Sequence, residues 1–167
     1  MNRSTVARVA VAALMVAFEL SLGPARGFAQ IEDVTITVEG MSCNLCAAGL
    51  ERSLRRADGI AAVKVVLASQ TATIRLKPGA PVTPARLRAG VEDAGQRLRI
   101  VELRLRGALQ RDDSRYRIQP PGHAQAFAVR DDSRLAALVG RNVRVRARIV
   151  SADAAAVELE LIDVAPS

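Results

Sequence analysis

Two hydrophobic periodicities alternate along residues 34–100, and this alternation constrains the fold more than any other feature of the chain. From Val34 to Val38 every second residue is apolar, which predicts a strand with one buried face. Leu50 and Leu54 then lie four positions apart among charged residues, which predicts an amphipathic helix over residues 44–57. A strand that leads directly into such a helix indicates a layered fold containing both elements.

The same pattern then repeats. Alternating apolar residues predict two further strands near residues 63–67 and 72–76, joined by a short turn. Thr83 and Pro84 predict the start of a second helix, because threonine caps the first turn and proline lacks an N–H that would need a partner there. A last strand follows, with Leu98 and Ile100 expected to point inward. The order strand, helix, strand, strand, helix, strand is typical of a ferredoxin-like βαββαβ arrangement in the α+β class.

The alternation changes phase where this last strand continues. Leu98 and Ile100 are even-numbered, whereas Val101 and Leu103 are odd-numbered, and a regular strand cannot bury both sets. Either a β-bulge lies here or one domain passes into the next within a continuous strand. We favour the second explanation, because residues 101–167 remain to be placed, and we put the domain boundary at residue 100.

Residues 101–167 are predicted to form a small all-β unit. Short apolar strands are expected near residues 116–118 and 127–129, and a valine-rich hairpin closes the chain at 143–161. This succession resembles the OB-fold, a five-stranded barrel. The unit has one aromatic ring in each of its two short strands and no platform for stacking bases, so we expect a structural or protein-docking role.

The closing hairpin carries a stripe of outward-facing arginines. A three-residue turn near residues 151–153 would place Arg146 opposite Glu158 and Arg144 opposite Glu160. Opposite charges at such cross-strand positions indicate a solvated ion-pair face, although an anion-binding site is the alternative.

The first 29 residues have the pattern of a secretory signal peptide. Arg3 and Arg8 give a basic start, residues 9–22 are almost entirely apolar, and residues 27–29 form a small-x-small cleavage pattern. The apolar run is shorter than the roughly 20 residues that a membrane-spanning helix needs. We therefore expect an exported mature protein, periplasmic or secreted.

Charge and composition exclude several classes of function. Lys and Arg outnumber Asp and Glu by 24 to 17, but the basic residues are spread along the chain, so we expect no nucleic-acid partner. His123 is the only histidine, which argues against a Ser-His-Asp triad and against a multi-histidine metal site. It follows Pro-Pro-Gly and is predicted to lie in an exposed loop. We expect no catalytic residues and no enzymatic activity.

Both cysteines of the chain, Cys43 and Cys46, lie where the first helix is predicted to begin. The positive end of a helix favours thiolates, and two thiolates suit a soft d¹⁰ cation such as Cu(I), whereas structural Zn²⁺ normally takes four ligands. Two alternatives stay open: a thiol–disulfide redox pair, or an inert structural disulfide. Against the redox pair, Asn44-Leu45 stands where thioredoxin-like proteins usually have Gly-Pro.

The segment from residue 31 to about residue 100 resembles the heavy-metal-associated domain, a family that includes copper chaperones, modules of metal-pumping ATPases and the periplasmic mercury-binding protein. Its Gly-Met-x-Cys-x-x-Cys start, followed by matching helices, makes the resemblance specific. It rests on Gly40-Met41-Ser42-Cys43-Asn44-Leu45-Cys46, Leu50-Glu51, Leu54, Asp58-Gly59-Ile60, Val63, Val65, Leu87, Val91-Glu92 and Ala94-Gly95.

The resemblance implies a metal-binding domain at residues 30–100 in which Cys43 and Cys46 are the ligands. Met41 would support the loop from inside, and Gln96 stands where the family usually has an aromatic residue or a lysine, which affects the choice of metal. The implied cargo is one soft ion, with Cu(I) preferred and Hg(II) second. The implied partner is a metal-transporting membrane protein or another metal-binding protein. Contact with a membrane surface and the oligomeric state stay open.

Overall fold

The computed structural model describes residues 31–113, 115–130, 132–153 and 156–167. The predicted signal peptide lies outside them. No helix in the described part is long and apolar enough to cross a membrane. The predicted mixture of helices and strands is confirmed. In chain order the elements are β1 (Ile31–Glu39), α1 (Asn44–Arg55), β2 (Ile60–Val66), β3 (Thr71–Leu76), α2 (Pro84–Asp93), β4 (Arg97–Asp112), β5 (Arg115–Gln119), β6 (Phe127–Val129), a 3₁₀ helix (Ser133–Leu138), β7 (Asn142–Asp153) and β8 (Ala156–Pro166).

The strands form one sheet that curls into a barrel at one end. Its order is β2-β3-β1-β4-β5-β6-β8-β7, and β7 also pairs with β4. This last pairing closes β4, β5, β6, β8 and β7 into a ring. Within the ring β6 and β8 run parallel, and the other neighbours are antiparallel.

Strand β4 joins the helix-bearing part of the sheet to the barrel. On one side it pairs with β1 up to Leu105 and then with β5 from Ala108, and on the other side it pairs with β7. Leu103, for example, lies between Val34 of β1 and Ala147 of β7, and all three are buried. The buried residues of both parts therefore form a single hydrophobic core.

A β-bulge accounts for the change of phase in β4. Val38 pairs with Leu98 and Thr37 pairs with Ile100, so one residue of β4 between them has no partner in β1. In a regular strand, residues two positions apart point to the same face, but the extra residue of the bulge reverses this. Leu98 therefore packs against the core and Ile100 lies on the other face. The prediction that both point inward was wrong. The boundary at residue 100 stays a prediction, since β4 runs through it without interruption.

The register of the closing hairpin also differs from the prediction. Arg146 pairs with Asp163 and Arg144 with Ala165, so the predicted pairs of these arginines with Glu158 and Glu160 were wrong. The cause is a longer β7, which extends to Asp153, together with two irregularities that shift the register of β7 and β8. Such irregularities leave no period-two signal in a sequence.

The arginine stripe nevertheless lies in an ion-pair face, with carboxylates of β1 and β4 as partners. Glu102 lies 3.0 Å from the Arg146 guanidinium and 3.5 Å from that of Arg148. Glu32 lies 3.7 Å from Arg144. These exposed pairs contribute at most about 1 kcal/mol each.

A latch of hydrogen bonds connects the loop before β6 to the loop before α2. We define the latch as His123 and Gln125 on one side and Ala80 and Val82 on the other. His123 Nε2 donates to the Ala80 carbonyl over 2.9 Å, and its Nδ1 accepts from the Gln125 N–H. The Gln125 amide bonds both the N–H and the C=O of Val82, over 2.9 and 3.1 Å. The prediction that His123 is exposed was wrong, since it is only 7% exposed.

We expect His123→Ala to lower the free energy of unfolding by about 2 kcal/mol, because the Ala80 carbonyl and the Gln125 N–H would lose buried partners. Urea unfolding of the full chain measures this effect. Gln110→Ala, on an exposed part of β4, serves as the control and should change stability by less than about 0.5 kcal/mol. Equal stabilities of the two variants would mean that the latch does not form.

Candidate metal centre

The loop between β1 and α1 holds the cysteines, and its first residue must be a glycine. Gly40 has φ of +96°, a left-handed conformation that a side chain disfavours. Here the chain leaves the sheet beside the start of β4, with the Gly40 Cβ position 4.0 Å from the Gln96 backbone. Met41 follows and is 1% exposed, so its side chain lies in the core beneath the loop.

Cys43 is the N-cap residue of α1. Its backbone is extended, and its Sγ accepts a hydrogen bond of 3.1 Å from the N–H of Cys46 in the first helical turn. Arg52 and Arg55 occupy the last turn, where positive charge complements the opposite end of the helix dipole. Both sulfurs therefore lie at the positive end of α1, a position that favours the thiolate once they are reduced.

Cys43 and Cys46 form a disulfide in this structure, with their Cα atoms 5.1 Å apart. Cys43 is exposed, and Cys46 is half-buried against the core. Among the described residues, no three His, Cys, Asp or Glu side chains group into a possible metal site. The structure thus brings the two predicted ligands together, and their role as ligands stays a prediction.

The mouth of the loop is open to solvent. Leu45, between the two cysteines, is 82% exposed, and Asn44 is exposed as well. A surface leucine beside an exposed sulfur leaves this end of α1 accessible to another protein.

Gln96 supports the loop from the opposite side. It lies three positions after the last residue of α2, it is 7% exposed, and its Nε2 donates a hydrogen bond of 3.0 Å to the Cys46 carbonyl. The Gln96 Oε1 is buried and has no hydrogen-bond partner among the described residues. Sequence reasoning placed Gln96 near the loop through a family resemblance, but it did not predict this bond, which joins residues 50 positions apart.

Comparison with known proteins identifies this part of the chain. The family model of the heavy-metal-associated domain matches residues 35–97. Residues 35–97 belong to the heavy-metal-associated domain family. The match includes β1 from residue 35 onward, the cysteine loop, α1, β2, β3 and α2.

Copper-transporting ATPases are similar to part of this chain. Copper-transporting ATPase 2 of Homo sapiens is 39% identical over 67 residues, which are 40% of this chain and 4% of that protein. Copper-transporting ATPase 1 of Rhizobium meliloti (strain 1021) is 39% identical over 62 residues, which are 37% of this chain and 7% of that protein. This chain therefore spans only a small fraction of these relatives.

A solved structure of similar size to the domain also matches. The putative copper-ion-binding protein from Bacillus anthracis is 34% identical, and the match covers 42% of this chain and 99% of that one with a TM-score of 0.38. The comparisons with curated proteins thus relate this part of the chain to a short stretch of copper-transporting ATPases.

Proposed function

We propose that this chain is an exported metal-binding protein that captures one soft cation with Cys43 and Cys46 and passes it to a partner by ligand exchange. Cu(I) is the preferred cargo and Hg(II) the second. The observation that carries the proposal is the pair of cysteines at the positive end of α1, close enough to share one ion. No substrate is chemically converted, so the protein is not an enzyme.

The choice of cation follows from the ligands. Thiolates are soft donors that favour Cu(I) and other soft d¹⁰ ions over hard cations such as Mg²⁺. The relatives also support copper, since they are copper-transporting ATPases. The thiolate form is favoured by the dipole of α1 and by the N–H of Cys46 aimed at the Cys43 sulfur.

The exposed mouth of the loop supports transfer to a second protein. A thiolate of the partner forms a bond to the ion while one bond from Cys43 or Cys46 breaks, and the oxidation state of the ion does not change. Leu45 and Cys43 are the accessible side chains at this point. The partner is a metal-transporting membrane protein or another metal-binding protein.

We assign the first part of the sheet to the ferredoxin-like type and the closed ring to an OB-like barrel. The parallel pairing of β6 with β8 and the closure of β7 on β4 support the second assignment. The barrel has a structural role: it shares β4 and the core with the metal-binding part and holds the segment before α2 through the latch.

The redox state of the cysteines decides whether the site works. We expect reduced protein to retain a single equivalent of Cu(I), because two thiolates are available, and the disulfide form to retain none, because its sulfurs are bonded to each other. Anaerobic incubation with Cu(I), gel filtration and elemental analysis of the protein peak measure the uptake. Stoichiometric uptake by the air-oxidised protein would contradict the proposal.

The disulfide also supports a second candidate function, thiol–disulfide exchange with another protein. Cys-x-x-Cys at a helix start is the arrangement that redox proteins use. Reduction of insulin disulfides by the metal-free reduced protein would favour this function over metal capture.

A further inference from the structure

The Gln96 side chain presents an unusual combination of one satisfied and one unsatisfied atom. Its nitrogen donates to the Cys46 carbonyl, whereas its oxygen is buried without a donor among the described residues. Exchanging the two atoms would not help, because the oxygen would then face the Cys46 carbonyl oxygen, which can only accept. Either orientation of the Gln96 amide therefore leaves its oxygen without a hydrogen-bond donor among the described residues.

A buried acceptor without a donor is unfavourable, and nearly all such groups in folded proteins have a partner. The disulfide of Cys43 and Cys46 has no hydrogen to donate. Reduction adds two electrons and two protons, breaks the S–S bond and creates two S–H groups. The electrons come from an external thiol reductant, which is itself oxidised to a disulfide.

We infer that the Gln96 oxygen accepts a hydrogen bond from an S–H group of the reduced pair and so favours the dithiol over the disulfide. The new donors appear in the same helical turn whose Cys46 carbonyl already holds the Gln96 amide. Gln96 is thus a positioning residue that biases the pair toward the dithiol, from which uptake of a metal ion then displaces the S–H protons. This inference rests on the proposed function only for the purpose of the dithiol, which is to bind a metal ion.

Gln96→Met tests the inference, because methionine has a similar size and lacks the amide oxygen. We expect the variant to shift the thiol–disulfide equilibrium about tenfold toward the disulfide, which lowers the reduction potential by about 30 mV. Equilibration of the full chain in dithiothreitol redox buffers, followed by thiol counting, measures the shift. Gln110→Met, on an exposed part of β4, is the matched control and should leave the potential unchanged.

An unchanged potential in Gln96→Met would overturn the inference, and so would an equal shift in both variants. A second measurement applies even if Gln96→Met does not fold. The ¹³C resonance of the Gln96 side-chain carbonyl in the unmodified chain should move on reduction, because its oxygen gains a hydrogen bond. A resonance that stays in place would refute the proposed bond.

These outcomes are separate from those of the proposed function. If the reduced unmodified protein takes up no Cu(I), the proposed metal capture is refuted, whereas a lowered reduction potential of Gln96→Met would still support the role of Gln96. If the reduced unmodified protein takes up one Cu(I) and Gln96→Met has an unchanged reduction potential, only the role of Gln96 is refuted.

Discussion

Cys43→Ser and Cys46→Ser are each expected to weaken Cu(I) binding by more than about 100-fold, because either change leaves one thiolate where the ion needs two. Changing a residue that merely supports a ligand typically lowers metal affinity by about 10- to 100-fold, so loss of a ligand should exceed the upper end of that range. Competition against a coloured Cu(I) chelator, with reduced protein and without oxygen, measures the affinity. The structure supports equal effects, since both sulfurs lie at the same end of α1.

Ser42→Ala is the matched control, because Ser42 is exposed in the same loop and carries no sulfur. It should bind Cu(I) as the unmodified protein does. A serine variant that keeps full affinity would exclude the pair as the metal site. If both serine variants lose disulfide exchange and the unmodified protein never binds Cu(I), the thiol–disulfide function is favoured instead.

The position of the site could be predicted from the sequence because it depends on local geometry. Two cysteines three positions apart at a helix start must lie close together, whatever the rest of the chain does. Most of the strands and helices before residue 98 could be predicted for a similar reason, since they have a clear apolar period and a residue that marks a boundary, such as Gly40 after β1 or Pro84 at the start of α2.

Contacts between distant parts of the chain could not be predicted in this way. Gln96 reaches Cys46 across 50 positions, and His123 reaches Ala80 across 43. Pro-Pro-Gly before His123 correctly indicates a turn, but only the packed structure decides whether that turn meets solvent or another loop. The bulge at Leu98 was one of two explanations for the same pattern, because an extra residue in one strand is visible only against its partner.

Gly107→Ala is expected to lower the free energy of unfolding by about 3 kcal/mol, at the upper end of what overpacking usually costs. Gly107 lies in β4 just before the pairing with β5 begins at Ala108. A methyl group there would lie 2.6 Å from the Gln119 carbonyl oxygen and 2.9 Å from the Ile118 side chain. The backbone of β5 would have to move, and with it the closure of the barrel.

Gly49→Ala separates this steric effect from the general effect of removing a glycine. Gly49 lies within α1, and a methyl group there would meet no atom within 4 Å. Alanine should therefore stabilise the helix, by up to about 1 kcal/mol. Urea unfolding of both variants should give changes of opposite sign. A neutral or stabilising Gly107→Ala would mean that β4 and β5 do not approach so closely.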